Sequence, residues 1–392
     1  MKTFLAILYV IPFIAFSQTN KKLEPSVLNN FKIQIGYQNG YVFATNDFIK
    51  GINGENNRIN AFQAFTLKFS KQTTGINKWE QLFKYPSYGI GIYLADFHNP
   101  EEIGTPIALY GFFNAPFKRW NKLTFNYELG FGATFNWKSF NPITNQYNIA
   151  IGAGQSFFID AGLNLEYRLN KKMDVATGFS FTHFSNGALK KPNKGINNLG
   201  PKISFKYNLN DRPVFIKNNL SNYIGEKEWL ISAFGGVKNV IFDNANIDII
   251  EKYEGLNFPV FGVSTVFNKQ VSYKSKFGIG MSFSYNGTLD AQVAVENNQL
   301  EPVESAFSNK IQISIFPSYE LIINKVSLIV QPSFYLFRKK IKNQTPVFYQ
   351  KIGIKYHLSN NLFAGITLRD YSFHVSDFIE WNIGYRIKWR KK

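Results

Sequence analysis

The chain has 392 residues, a formal net charge of +18, no cysteine, and 40 Phe, 21 Tyr and 6 Trp. The lack of cysteine excludes a disulfide framework and thiolate metal sites, and richness in aromatic, Asn, Gly and Lys residues is not that of a helical protein. The basic residues are scattered through turns and alternating positions and no nucleic-acid-binding motif is present, so nucleic acid is not an expected partner; anionic lipid headgroups, including lipopolysaccharide phosphates, are the natural counter-charge, with solubility and lumen lining an equally good account.

The first element in chain order is an export signal. Lys2 supplies a short positive segment, Phe4 to Phe16 is an apolar stretch interrupted by Pro12, and Ala15-Phe16-Ser17 fits a cleavage site before Gln18. Residues 1–17 therefore read as a signal peptide. Beyond residue 20 no run of 18 apolar residues occurs, so no transmembrane helix is expected. Export without a helical anchor leaves a periplasmic protein, a secreted protein or an outer-membrane barrel.

Period-two alternation chooses among these. Leu123, Phe125, Tyr127, Leu129, Phe131, Ala133, Phe135 and Trp137 alternate with polar or small residues; Phe157 to Leu169 and Ile379 to Trp389 repeat the pattern. Successive strand residues point to opposite faces, so each segment has one greasy and one wet face. Strands of about 10 to 15 residues with aromatics near their ends suit a membrane-spanning barrel better than a soluble sandwich. Sixteen candidates lie near residues 31–45, 58–71, 87–97, 104–117, 122–137, 154–170, 173–185, 199–209, 228–240, 254–268, 275–287, 308–323, 326–338, 347–358, 362–373 and 378–390.

The expected fold is thus all-β: a transmembrane antiparallel barrel of the outer membrane with about 12–16 strands and a polar lumen, residues 18–392 forming one barrel. Short turns at 170–172 and 359–361 belong on the periplasmic side. Longer loops at 46–57, 138–153, 186–198 and 288–307 belong outside. The segment Asp211 to Glu228 is too long for a tight periplasmic turn and can divide the chain into halves.

The seventh strand ends on the segment that carries chemistry. Val175, Thr177, Phe179 and Phe181 share a face with His183 and Ser185, while Asp174, Ala176, Gly178, Ser180 and Thr182 share the other. Residues i and i+2 are separated by roughly 6.5 Å along a strand, within the lean of an imidazole. A serine is a weak nucleophile until a base takes its proton, so a histidine beside it on a lipid-facing surface has chemical logic. Odd strands run outward if both termini are periplasmic, placing the pair at the outer-leaflet end. By itself His-x-Ser is a weak signal.

The stretch His183-Phe184-Ser185-Asn186-Gly187-Ala188-Leu189-Lys190-Lys191-Pro192-Asn193-Lys194-Gly195-Ile196-Asn197 resembles the active-site signature of PagL-type lipid A deacylases, the acyloxyacyl-hydrolase-like outer-membrane family of Gram-negative bacteria. The motif His-x-Ser-Asn followed by Pro-Asn-x-Gly-Ile is fairly specific. The resemblance covers about residues 31–209, with additional strands over about 228–390 that exceed the short barrel of the best-known members, although Asp377 to Tyr385 is similar to the end of longer ones. It implies a serine esterase that removes an ester-linked acyl chain from lipid A or a related lipid. Ser185 would be nucleophile and His183 base, with Asn186 or Asn193 and backbone N–H groups near Gly187 receiving the oxyanion. The family's acidic residue aligns with Asn197, which shares parity with Leu199 and Ile203 and gives an imidazolium less support than a carboxylate. Glu166 and Asp160 point to the lumen by parity.

The remaining histidines are weaker candidates: His98 near an outward strand end, His357 facing the lumen, and His374 by an outer loop. No pair has metal-ligand spacing, and no P-loop or dinucleotide fingerprint occurs, so neither metal nor cofactor is expected. The acidic loop with Asp290, Glu296, Glu301 and Glu304 reads as a solvated loop or a site for a cation that bridges lipopolysaccharide. The rival function is a non-enzymatic barrel, a pore or structural protein that retains the motif.

Overall fold

The structure is a computed structural model and describes residues 30–221, 223–242, 246–341, 345–371 and 375–389. The signal-peptide segment lies outside the described residues. Among the described residues sixteen strands form: β1 (Phe31–Val42), β2 (Ala61–Gln72), β3 (Ser87–Asp96), β4 (Gly104–Arg119), β5 (Leu123–Trp137), β6 (Ser156–Arg168), β7 (Met173–Ser185), β8 (Ile196–Asn208), β9 (Glu226–Lys238), β10 (Phe258–Gln270), β11 (Ser275–Asn286), β12 (Ile311–Ile323), β13 (Val326–Phe337), β14 (Phe348–His357), β15 (Leu362–Tyr371) and β16 (Val375–Trp389). Within each run of eight, every strand pairs antiparallel with its sequence neighbours.

Closure is where the structure departs from the expectation of a single barrel. β8 returns to β1 and β16 returns to β9, so the sixteen strands form two closed eight-stranded barrels. The segment 209–225 joins them along the end that carries the short turns. It lies against the first barrel: Ile216 N–H donates to the Thr74 carbonyl at 2.8 Å, and Phe215 stacks on Tyr85 at 4.4 Å. Side-chain alternation is the same for one wide barrel and for two narrow ones. What separates them is the return of β8 to β1, which joins segments far apart in the chain; the bond from Gln38 Nε2 to the Gly200 carbonyl spans 162 residues.

Parity follows the expected sense in both units. Ile35, Phe65, Leu67, Ile90 and Phe179 of the first barrel are exposed, as are Phe261, Val263, Ile279, Ile352 and Ile383 of the second. These form the lipid-facing band. An eight-stranded barrel leaves an interior just wide enough for side chains to fill, and the lumens are filled. In the first, Glu128 accepts from Lys68 at 2.5 Å and from Lys202 at 3.1 Å, while Glu166 pairs with Lys206 at 2.5 Å. In the second, Glu320 meets Lys355 at 2.7 Å and Lys276 at 3.4 Å, and Arg369 meets Glu380 at 2.6 Å. Much of the basic excess on inward faces is thereby matched to buried carboxylates. Above these pairs, Tyr93, Phe97, Tyr110, Trp137, Phe158 and Phe184 plug the loop-bearing end of the first barrel.

The buried triad at Glu128 predicts a large stability effect. Glu128→Ala leaves two lysines unpaired in the lumen and should cost about 3–5 kcal/mol, read as a lowered urea midpoint of the detergent-folded protein. A midpoint within error of wild type contradicts this account of the lumen.

Candidate active site

β7 places the catalytic candidates by simple alternation. Thr182 and Phe184 point inward, and Phe184 packs on Trp137 at 5.2 Å, Phe158 at 5.5 Å and Phe97 at 6.0 Å. Slipping the strand by one residue would move this aromatic ring into lipid and His183 into the plug, so the inward packing holds His183 and Ser185 on the outer wall. On one side Ile159 and Phe157 of β6 face them, paired with His183 and Ser185 respectively. On the other, Asn197 of β8 stands directly opposite His183.

That register brings His183 Nδ1 to 2.6 Å from Asn197 Oδ1. An amide oxygen only accepts, so the contact puts the ring proton on Nδ1 and leaves Nε2 free to take one. The Asn197 carbonyl itself accepts from the Phe43 N–H at 2.9 Å, which ties this end of β8 to the segment after β1.

The 186–195 loop folds back over Ser185. Asn193 Nδ2 donates to Ser185 Oγ at 2.7 Å, and the Gly187 N–H donates to the same oxygen at 3.2 Å. Asn193 Oδ1 accepts from the Asn186 N–H at 3.0 Å, and Asn186 Nδ2 donates to the Lys190 carbonyl at 2.7 Å. Asn193 thus reaches the hydroxyl while the Asn186 side chain shapes the loop. Gly187, Ala188 and Gly195 all have left-handed φ, at +63°, +64° and +72°. Neighbouring loops hold this conformation: Gly195 N–H donates to the Ala150 carbonyl at 2.9 Å and Lys194 N–H to the Ile149 carbonyl at 3.0 Å, and Asn46 Nδ2 donates to the Gly195 carbonyl at 3.1 Å.

Ser185 is only 7% exposed, and its hydroxyl is bonded to Asn193 and Gly187 rather than to the imidazole. The two side chains are neighbours across Gly195. A Cβ built there would meet His183 Cε1 at 3.0 Å and Ser185 Cβ at 3.7 Å. The motif contains Gly195 without indicating a role for it; its positive φ beside the ring supplies one.

The other candidates fall elsewhere. His98 lies in the β3–β4 loop, where its N–H donates to Asp96 Oδ1 at 2.8 Å. His357 is in the second lumen, 3.1 Å from Ser327 Oγ. His374 lies outside the described residues. Glu166 and Asp160 are in the first lumen, Asp160 accepting from Ser180 Oγ at 2.5 Å. The acidic loop is drawn into separate pairs, Asp290 with Lys310 at 2.7 Å and Glu301 with Lys252 at 2.5 Å. Among the described residues no group of three metal-ligating side chains comes together.

Comparison with known families gives two matches. The lipid A 3-O-deacylase (PagL) model matches residues 63–206, and the acyloxyacyl hydrolase C-terminal domain model matches residues 227–389. The chain belongs to the PagL-type outer-membrane family. The boundary between the two matches falls on the segment that joins the barrels, so the second barrel is a family domain rather than an addition foreign to it. Among solved structures, the outer-membrane enzyme PagL is 13% identical, with 44% of this chain and 97% of that one covered at a TM-score of 0.28. The toluene transporter TbuX of Ralstonia pickettii is 8% identical, with 92% and 90% covered at 0.18. The outer-membrane protein opdK of Pseudomonas aeruginosa is 12% identical, with 92% and 100% covered at 0.21. No curated protein matches the chain.

Within this site, Gly195 is the position where sequence and geometry give the sharpest expectation. Gly195→Ala puts a methyl group against His183 and an L residue at positive φ. It should cost about 1–2 kcal/mol of stability and shift the His183 Cε1–H resonance, identified by its absence in His183→Gln. An unmoved resonance contradicts the placement of the ring over Gly195.

Proposed function

We propose that the protein is an outer-membrane serine esterase that removes an ester-linked acyl chain from lipid A or a related membrane lipid. The observation that carries this reading is the convergence of Asn193 Nδ2 and the Gly187 N–H on Ser185 Oγ, on the lipid-facing wall and beside an imidazole oriented by Asn197. Polar groups on a lipid-facing wall are costly unless they work or sit at the interface.

In the proposed reaction Ser185 Oγ attacks the ester carbonyl carbon while its proton passes to His183 Nε2. The carbonyl oxygen gains the charge and takes hydrogen bonds from the Gly187 N–H and Asn193 Nδ2. Collapse breaks the bond to the sugar oxygen, which leaves with the proton from His183. Water then attacks the acyl-serine by the same route, releasing the fatty acid and regenerating the hydroxyl. Each step uses side chains and backbone groups gathered around Ser185, and none requires a cofactor. Exposed Lys190 and Lys194 flank the loop and suit an anionic headgroup.

The filled lumens weigh against the rival pore reading, because Lys–Glu pairs and an aromatic plug occupy the bore that a solute would use. Ser185→Ala should abolish release of fatty acid while heat-modifiable migration of the barrel is kept. The readout is the mass spectrum of lipid A from an outer membrane that carries the protein. Lipid A unchanged by the wild type, together with no labelling of Ser185 by a fluorophosphonate, would favour a structural barrel instead.

Asn197 offers a second, directional test. A carboxylate at this position stabilises the imidazolium formed during attack, whereas an amide only orients the ring. Asn197→Asp should raise kcat, and Asn197→Leu should lower it about 10- to 100-fold, a part of the roughly 10²–10⁴ that general-base catalysis supplies. Equal rates in all three proteins would remove Asn197 from the mechanism.

A further inference from the structure

We infer that the second barrel completes the active site of the first: Ile379, supported by Leu368, is a positioning residue that holds the Gly187 N–H on the Ser185 hydroxyl. The inference rests on the esterase reading and adds to it a role for the C-terminal domain.

Three observations carry it. The first is burial against parity. Ile379 shares the outer face of β16 with Trp381 and Ile383, which are 48% and 60% exposed, yet Ile379 is 4% exposed. A side chain that should meet lipid is covered. The second is what covers it. A Cβ built on Gly187 would lie 2.7 Å from Ile379 Cδ1, 2.9 Å from its Cγ1 and 3.5 Å from Leu368 Cδ1. Leu368 stands directly opposite Ile379 across the β15–β16 ladder, so the two form one apolar step on which the Gly187 backbone sits. The third is the strain of the loop at that point. Gly187 and Ala188 are consecutive left-handed residues at +63° and +64°, a conformation that costs an alanine about 1–2 kcal/mol and persists only when its surroundings impose it.

Gly187 is the residue whose N–H reaches Ser185 Oγ at 3.2 Å. A peptide that can rotate loses aim, and a backbone donor is useful to an oxyanion only when fixed before charge develops. The step built by Ile379 and Leu368 blocks the outward swing of this peptide. It also accounts for glycine at 187, since any side chain would strike the other barrel. The two barrels meet again at the opposite end, where Lys78 of the first lies over the Tyr273 ring of the second at 3.4 Å and Lys274 of the second over Phe83 of the first at 5.2 Å. The contact at Gly187 thus works together with this far pair of contacts to set the barrels against each other.

Ile379 faces outward and contributes nothing to the second lumen, so truncation should leave that barrel closed. In the full-length protein, Ile379→Ala should lower kcat about tenfold with KM within about twofold, a fraction of the roughly 10²–10³ that loss of an oxyanion donor costs. Ile379→Val should recover most of the rate, and Leu368→Ala should show a smaller loss of the same kind. Fluorophosphonate labelling of Ser185 should slow in the same order. If the wild type deacylates and Ile379→Ala matches it in kcat and labelling rate, the positioning role is overturned while the esterase reading stands. A loss confined to KM overturns the positioning role in the same way. A wild type that neither deacylates nor takes the probe overturns both.

Discussion

A β-sheet in hydrocarbon cannot keep an open edge, because each unpaired N–H and C=O costs several kcal/mol without water to bind it. This constraint governs the molecule. It forces β8 back to β1 and β16 back to β9, and once eight strands close, the bore is narrow enough that side chains must fill it. Inward lysines then require inward carboxylates, and the ion pairs around Glu128 and Glu320 meet that need. The outer walls are left for lipid and for whatever chemistry is done on lipid.

The site grows from the same rule. Because Phe184 belongs to the plug, its neighbours on the strand must face out, and the ladder puts Asn197 opposite His183 without any special device. The loop is less economical. Three left-handed residues and bonds from neighbouring segments shape the turn that returns Asn193 to Ser185. Strain concentrated in one short loop, imposed by packing from outside it, is the usual arrangement where donors must be aimed before a reaction begins.

Two barrels in one chain also alter what the outer surface can be. A single eight-stranded barrel offers an unbroken lipid-facing wall. Here the wall near Ser185 is interrupted by β15 and β16 of the second unit, whose Leu368 and Ile379 cover Gly187, with Ile379 buried in turn. The approach to the hydroxyl therefore has a protein side as well as a lipid side, and the lumen of neither barrel takes part.

Strand positions were legible in the sequence because a residue's face depends only on its neighbours two places away. The seventh strand runs from Met173 to Ser185 as its alternation requires, and the outward sense of His183, Ser185 and Asn197 follows from the apolar residues that share their parity. The resemblance of the loop pointed to the residues around Ser185. It left open which asparagine reaches the hydroxyl, since a loop of αL turns has no period to read. Closure was signalled only by the long segment from Asp211 to Glu228, which marks a division of the chain but not which strands pair across it. One sixteen-stranded barrel and two eight-stranded ones share the same alternation, turns and strand count, and differ only in whether β1 meets β8 or β16. By itself the sequence determined the strands, their two faces and the residues available for chemistry, all of which are local consequences of side-chain order. Only the tertiary structure decided the pairing that closes each barrel and the contact that sets Ile379 on Gly187, because both join segments far apart in the chain and depend on where the whole backbone returns.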